Sequence, residues 1–213
     1  MAKRAACVGS RALPEEAANV MLILGSRLAT LGWEIHSGDA EGSDRKWHEG
    51  FMQSPLYTPS RAFIYLAWNG VGNRYHDPEN GFYDATQFEN YGDARALALE
   101  ARGSFEGLGR GGIALHSRNP YQVLTETLND PVDTILFYAQ PVGKAGKVKG
   151  GTNTAVALAL KHNVTAINLY TEEGLRRVES FMTKSKTKAE ELLSEYRLYL
   201  DRERAAGETA PTG

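Results

Sequence analysis

The amino-acid sequence predicts an α/β chain, folded as a three-layer α/β/α sandwich on a mainly parallel sheet. Three observations lead there. Short apolar runs of strand length alternate with segments whose apolar residues recur at helical spacing. The chain opens strand, turn, helix, strand, turn, helix, an order that requires a parallel sheet with a right-handed crossover. The strand-to-helix turns are made of small and polar residues, at Gly9-Ser10-Arg11, at Ser37-Gly38-Asp39-Ala40-Glu41-Gly42-Ser43-Asp44 and again at Gly150-Gly151-Thr152.

The 213 residues are 42% hydrophobic and 23% charged with a formal net charge of −2, which suits one sizeable soluble domain. That charge gives no global reason to expect a nucleic-acid partner and leaves a local basic patch open. Cys7 is the single cysteine. It excludes an internal disulfide framework and a zinc cluster, reads as a small buried core residue and fits a reducing compartment. No apolar stretch near Lys3 and Arg4 is long enough for a signal peptide, and no later one spans a bilayer. A cytoplasmic protein with no membrane partner is expected.

Arg4 to Val8 is an apolar run ending at Gly9, a buried strand of the length usual in parallel sheets. Pro14, Glu15 and Glu16 suit a first helical turn, Val20, Ile23, Leu24, Leu28 and Leu31 continue at helical spacing, and Gly32 ends the helix. Trp33 to His36 forms the second strand, and Arg45 to Phe51 the second helix. Residues 52–62 read as loop and Arg61 to Trp68 as a strand. Residues 69–92 show no clean period, which in a compact chain marks a functional or mobile segment. A helix is expected from Asp93 to Arg102, a Gly-rich loop over 103–112 and a short strand at Ile113-Ala114-Leu115-His116. Pro120 to Asn129 reads as a helix capped by Ser117 or Asn119. Val132 to Ala139 and Val164 to Leu169 read as strands around an Ala-rich helix from Asn153 to Lys161. Beyond Thr171 the pattern is helical, with an apolar stripe at Leu192, Tyr196 and Leu200 that packs on its own sheet or on a second copy in a homodimer. Residues 205–213 are small and polar, a disordered tail. One domain over 1–204 with an elaborated middle at about 69–112 is expected.

A strand that breaks at small residues and restarts as a helix leaves backbone N–H groups facing outward. The helix N-terminus adds partial positive charge, so such a turn suits phosphate or carboxylate. At the first turn Gly9, Ser10 and Arg11 bring N–H groups, a hydroxyl and a guanidinium fork together. In the second, Ser37, Gly38, Gly42 and Ser43 offer close backbone approach and hydroxyl donors. Its carboxylates Asp39, Glu41 and Asp44 repel an anion, and suit ribose hydroxyls, a base edge, a metal or a helix cap. Gly150, Gly151 and Thr152 repeat the phosphate cradle beside Lys147 and Lys149. His116 is an acid or base candidate near neutral pH, or else structural, and Arg118 and Asn119 follow it. Trp68, Tyr75, Phe82, Tyr83 and Tyr91 either stack on a base or pack the long loop. His36, His48, His76 and His162 share no metal-ligand spacing, and no metal or cofactor is expected.

Taken together, Gly-Ser-Arg after the first strand, Ser-Gly-x-Ala-x-Gly-x-Asp after the second and a late Gly-Gly-Thr before an Ala-rich helix resemble the DNA-processing protein A (Smf) proteins. The likeness covers most of residues 4–170. These proteins belong to a Rossmann-like superfamily with the Lonely Guy phosphoribohydrolases, the molybdenum-cofactor carrier-like proteins and nucleotide-sensing domains of defence systems. The middle of the chain, with Arg118-Asn119, is more similar to short phage-encoded relatives than to the bacterial recombination mediators. The resemblance implies a phosphate crevice shared by Gly9, Ser10, Arg11, Ser37, Gly38, Gly42, Gly150, Gly151 and Thr152. In the recombination mediators the same surface binds single-stranded DNA. Where the Lonely Guy pattern places a glutamate for N-glycosidic cleavage, this chain reads Thr152-Asn153-Thr154-Ala155-Val156-Ala157, so catalysis here would recruit Glu41, Asp44 or His116.

Two functions follow as expectations. The first is a binding module for a nucleotide phosphate, either in single-stranded nucleic acid or in a small nucleotide-derived ligand. The second is an enzyme cleaving an N-glycosidic or phosphate bond of such a ligand.

Overall fold

The computed structural model describes residues 2–143 and 146–179. The expected stripe at Leu192, Tyr196 and Leu200 and the expected tail over 205–213 lie outside them. Six parallel strands form one sheet: β1 (Arg4–Gly9), β2 (Glu34–Ser37), β3 (Ala62–Leu66), β4 (Phe82–Asp84), β5 (Thr134–Tyr138) and β6 (Thr165–Asn168). Their order across the sheet is β4-β3-β2-β1-β5-β6. From β1 the chain steps outward to β4, then returns to the other side of β1 to lay down β5 and β6. The reversal lies between β1 and β5, where Val8 pairs with Phe137 and Gly9 with Tyr138. At such a point the connections leave in opposite directions and open a crevice at the carboxyl ends of the strands.

Helices α1 (Glu15–Thr30) and α2 (Ser43–Met52) cover one face. Met21, Leu24 and Leu28 of α1 and Trp47 and Phe51 of α2 pack there with Ala5, Cys7, Ile35 and Ile64. Cys7 is buried in this layer. Helices α3 (Tyr91–Arg102), α4 (Arg110–Ser117), α5 (Asn119–Leu124) and α6 (Thr152–Lys161) lie on the other side. Val123, Leu124, Val156 and Ala159 meet Ala6, Val8, Ile135 and Phe137. The three-layer sandwich with a parallel sheet is the expected fold, and every strand is parallel. Among the described residues no helix is long and apolar enough to cross a membrane.

Three expectations are corrected. Ile113 to His116 is not a strand but the middle of α4, half-buried throughout. Three apolar residues satisfy either period, and β1 already has β2 and β5 on its two edges. The helix expected over Pro120–Asn129 stops at Leu124, because Thr125 and Leu128 take left-handed φ of 57° and 58°. Neither proposed cap acts as one: the Ser117 hydroxyl donates back to Ile113 O inside α4, and the Asn119 amide donates to Gly151 O. The irregular 69–92 segment also contains β4, a three-residue edge strand too short to show a period.

Candidate functional site

A crevice of about 490 Å³ sits at the reversal between β1 and β5. Its walls come from the turn after β1 (Gly9, Ser10, Arg11), the turn before α6 (Lys149 to Thr152), and α4 and α5 (Gly112, Leu115, His116, Arg118, Asn119, Gln122). Ala40 and Asp44 complete it from the β2 side.

The turn before α6 keeps its N–H donors free, whereas in the turn after β1 the Gly9 N–H donates to Asp44 Oδ1 and the Ser10 N–H to Tyr138 O. Among the described residues the N–H groups of Gly150, Gly151 and Thr152 donate to nothing, and Gly151 caps α6 with no side-chain acceptor. The Arg11 guanidinium is exposed and has no ion-pair partner among the described residues. Among the described residues three cationic side chains (Arg11, Arg118, Lys149) thus line the crevice against one carboxyl, Asp44.

The second turn, Ser37 to Asp44, is used differently. Of its residues only Ala40 and Asp44 line the crevice; Ser37, Gly38, Glu41, Gly42 and Ser43 do not. The Ser37 hydroxyl donates to Cys7 O at 2.6 Å. The Ser43 hydroxyl and N–H both donate to Ser10 O, at 2.8 and 3.1 Å. Gly42 has φ +88° and abuts the first turn, so a Cβ there would lie 2.5 Å from Arg11 O. Gly38 leaves the volume that the Arg118 guanidinium fills. Asp39 takes Arg45 and Arg74. Glu41 is exposed to solvent away from the crevice. Five of the eight residues therefore hold the β1 turn, the α2 start and Arg118 in register instead of facing a ligand.

Beneath the crevice Asp44 joins three elements. Gly9 N–H donates to its Oδ1 at 3.1 Å, and the Arg118 guanidinium and Gln122 amide lie 3.5 Å from Oδ2. Arg118 also donates to Tyr65 O at 3.2 Å, while its buried Nε has no partner among the described residues. Burial pushes the Asp44 carboxyl up to about 6, against the lowering pull of Arg118 and of the N–H donors of Ala40 and Gly9. The same burial lowers the Arg118 guanidinium. Each ion of a buried pair loses water, and hydrogen bonds to the partner and to backbone offset part of that cost.

His116, on the α4 wall, bonds Thr154 Oγ through Nδ1 at 2.9 Å. Burial first, then Arg102 and Arg118, lower its pKa, so the ring is neutral at pH 7. Among the described residues no three His, Cys, Asp or Glu side chains are grouped to hold a metal ion.

Of the expected ligand residues, Gly9, Ser10, Arg11, Arg118, Asn119, Gly150, Gly151 and Thr152 share the crevice with Asp44 and His116. Gln122, Gly112 and Leu115 join them unannounced by the sequence. Gln122 carried a weak signal, four residues after Arg118 and so on the same side of a helix. No protein-family model, curated protein or solved structure matches the chain.

Proposed function

We propose that the chain binds the phosphate end of a nucleotide in this crevice and holds it without cleaving it. One observation carries the reading: the N–H groups of Gly150, Gly151 and Thr152, unpaired among the described residues, belong to a turn that lines one crevice together with Arg11 and Lys149 at the sheet's reversal point. Oriented N–H groups, a helix N-terminus and a guanidinium fork together favour a phosphate over other anions. Retention without cleavage rests on Asp44. Among the described residues it is the one carboxyl lining the crevice, and its oxygens already take N–H donors from Gly9, Arg118 and Gln122. A carboxylate so engaged is poorly placed to activate water or attack a ribose carbon.

A thermal-shift screen tests this, with nucleoside monophosphates, ADP-ribose, cyclic dinucleotides and a short single-stranded DNA, and with Arg11→Ala and Lys149→Ala as controls. A bound ligand at a hundred times its dissociation constant adds about 2.7 kcal/mol of stability. Stabilisation of the wild type that both variants lose, with the nucleotide recovered intact, supports the reading. Recovery of free base or free phosphate moves the assignment to an enzyme. Stabilisation by DNA alone, abolished by salt, moves it to nucleic-acid binding.

A further inference from the structure

Resting on the reading of the crevice as a phosphate site, the geometry points to Trp68 as the platform on which the nucleotide's base stacks. The ring stands at the carboxyl end of β3, on the same edge of the sheet as the crevice. Ala67 before it is buried, and Trp68 turns outward with 38% of its surface exposed. The six-membered ring lies beside α4 at Gly111, where an added methyl would meet Cη2 at 3.5 Å and Cζ3 at 3.8 Å. The next residues of that helix, Gly112, Leu115 and His116, line the crevice. Trp68 and the crevice therefore share one wall.

The floor runs the same way. Across the order β5-β1-β2-β3 the residues at or beyond the strand ends are Gly150, then Gly9, then Ala40, then Trp68. Neighbouring strands lie about 4.8 Å apart, so the ends of β1 and β3 are separated by about 10 Å. Arg11, Lys149 and the free N–H groups stand at one end, Ala40, Gly112 and Leu115 in the middle above the buried Arg118 guanidinium, and a flat ring at the other. A nucleotide has this layout: anion, sugar, aromatic base.

Of the other aromatic residues of the middle segment, Phe105 is half-buried and lies against His116, with ring centroids 6.3 Å apart, and the exposed or loop aromatics are engaged elsewhere or stand apart from this wall. Phe82 meets His48 edge-on, Tyr83 stacks with Phe63, and Tyr91 packs against the aromatic cluster around Tyr65 and Tyr121. Tyr75 is exposed, and the backbone it lies against is Gly70 in its own loop. A tryptophan anchored by buried backbone on one side and open on the other loses little side-chain freedom when a base covers it.

The test is calorimetric titration of the full chain and of Trp68→Ala and Trp68→Phe with AMP, CMP, ribose 5-phosphate and inorganic phosphate. Melting curves of each variant confirm folding. The expected result is that wild type prefers a nucleotide over ribose 5-phosphate by on the order of tenfold to a hundredfold. Trp68→Ala erases that preference and leaves ribose 5-phosphate affinity unchanged, while Trp68→Phe keeps most of it. Nucleotide quenches indole emission in the wild type and not in Trp68→Phe. Equal binding of nucleotide and sugar phosphate by wild type overturns the inference and leaves the crevice reading standing. A Trp68→Ala loss that is the same for every ligand, phosphate included, makes the ring structural and also overturns it. If none of the four ligands binds, the crevice reading fails and this inference falls with it.

Discussion

Gly38 and Arg118 occupy each other's space. An added Cβ on residue 38 would lie 0.9 Å from Arg118 Nη1 and 1.8 Å from Cζ. The missing side chain is what lets a buried guanidinium reach Tyr65 O and Asp44 together. Gly38→Ala must expel it, so a loss of about 3 kcal/mol is expected. Arg118→Met costs a similar amount by stripping the buried carboxyl of a donor. Because both changes remove the same arrangement, the double variant should lose clearly less than the sum, measured by urea denaturation.

Two glycines with left-handed φ separate scaffold from site. Gly42 has φ +88° with backbone at 2.5 Å from its absent Cβ, whereas Gly150 has φ +80° and nothing within 4 Å. Gly42→Ala adds a clash to the backbone penalty and should cost more than 2 kcal/mol of stability. Gly150→Ala pays only the conformational part, about 1 kcal/mol, but turns the N–H groups of the turn that lines the crevice. Its melting temperature should fall little and its nucleotide affinity fall strongly. A strong melting loss without an affinity loss would reverse the assignment of these two turns.

Asp44 gives the pH profile an unusual component. Its folded pKa of about 6 lies above the ordinary carboxylate value of 3.8. The stability it contributes is present at low pH and is lost as pH rises through 6. Asp44→Asn removes that titration. Relative to wild type the variant should gain about 2 kcal/mol between pH 4 and pH 7, in denaturation curves taken across that range.

His36 and His48 act with the opposite sign. Burial, helped by Arg4, lowers His36 to about 3, and burial lowers His48 to about 4. Both are neutral when folded and take a proton near 6.5 when unfolded, so their contribution is full above pH 6.5 and lost as pH falls. From pH 6.5 to 5 each costs about 2 kcal/mol, more than Asp44 returns over the same interval. Net stability should therefore drop in mild acid. His36→Phe, which keeps the ring stacked on Phe63 at 4.7 Å, should flatten that drop.

Most of the fold is legible from local pattern. Strands β1, β2, β3, β5 and β6 announce themselves as apolar runs, and α1, α2 and α6 by period and by the small residues before them, because each satisfies its own backbone and buries its own stripe. The segments misread are those without such a signature: α4 is three apolar residues behind three glycines, β4 has three residues, and α5 ends at ordinary residues in unusual φ. Most of the crevice-facing residues were legible too, since strand-to-helix turns of Gly and Ser in a parallel sheet come together at its carboxyl edge.

The sequence by itself determined the alternation of strand and helix, the three small-residue turns and hence a crevice at the carboxyl ends of the strands. Only the tertiary structure decided which turns face it. The Ser37–Asp44 stretch looks the strongest of the three, yet most of it turns inward, because its glycines and serines are matched to groups far along the chain. Arg118 fills the space at Gly38 and meets Asp44 from 74 residues away, and Ser10 accepts from Ser43. A glycine that makes room for a phosphate and one that makes room for a guanidinium are the same letter. The difference lies in what the fold packs against it, and that is a long-range fact.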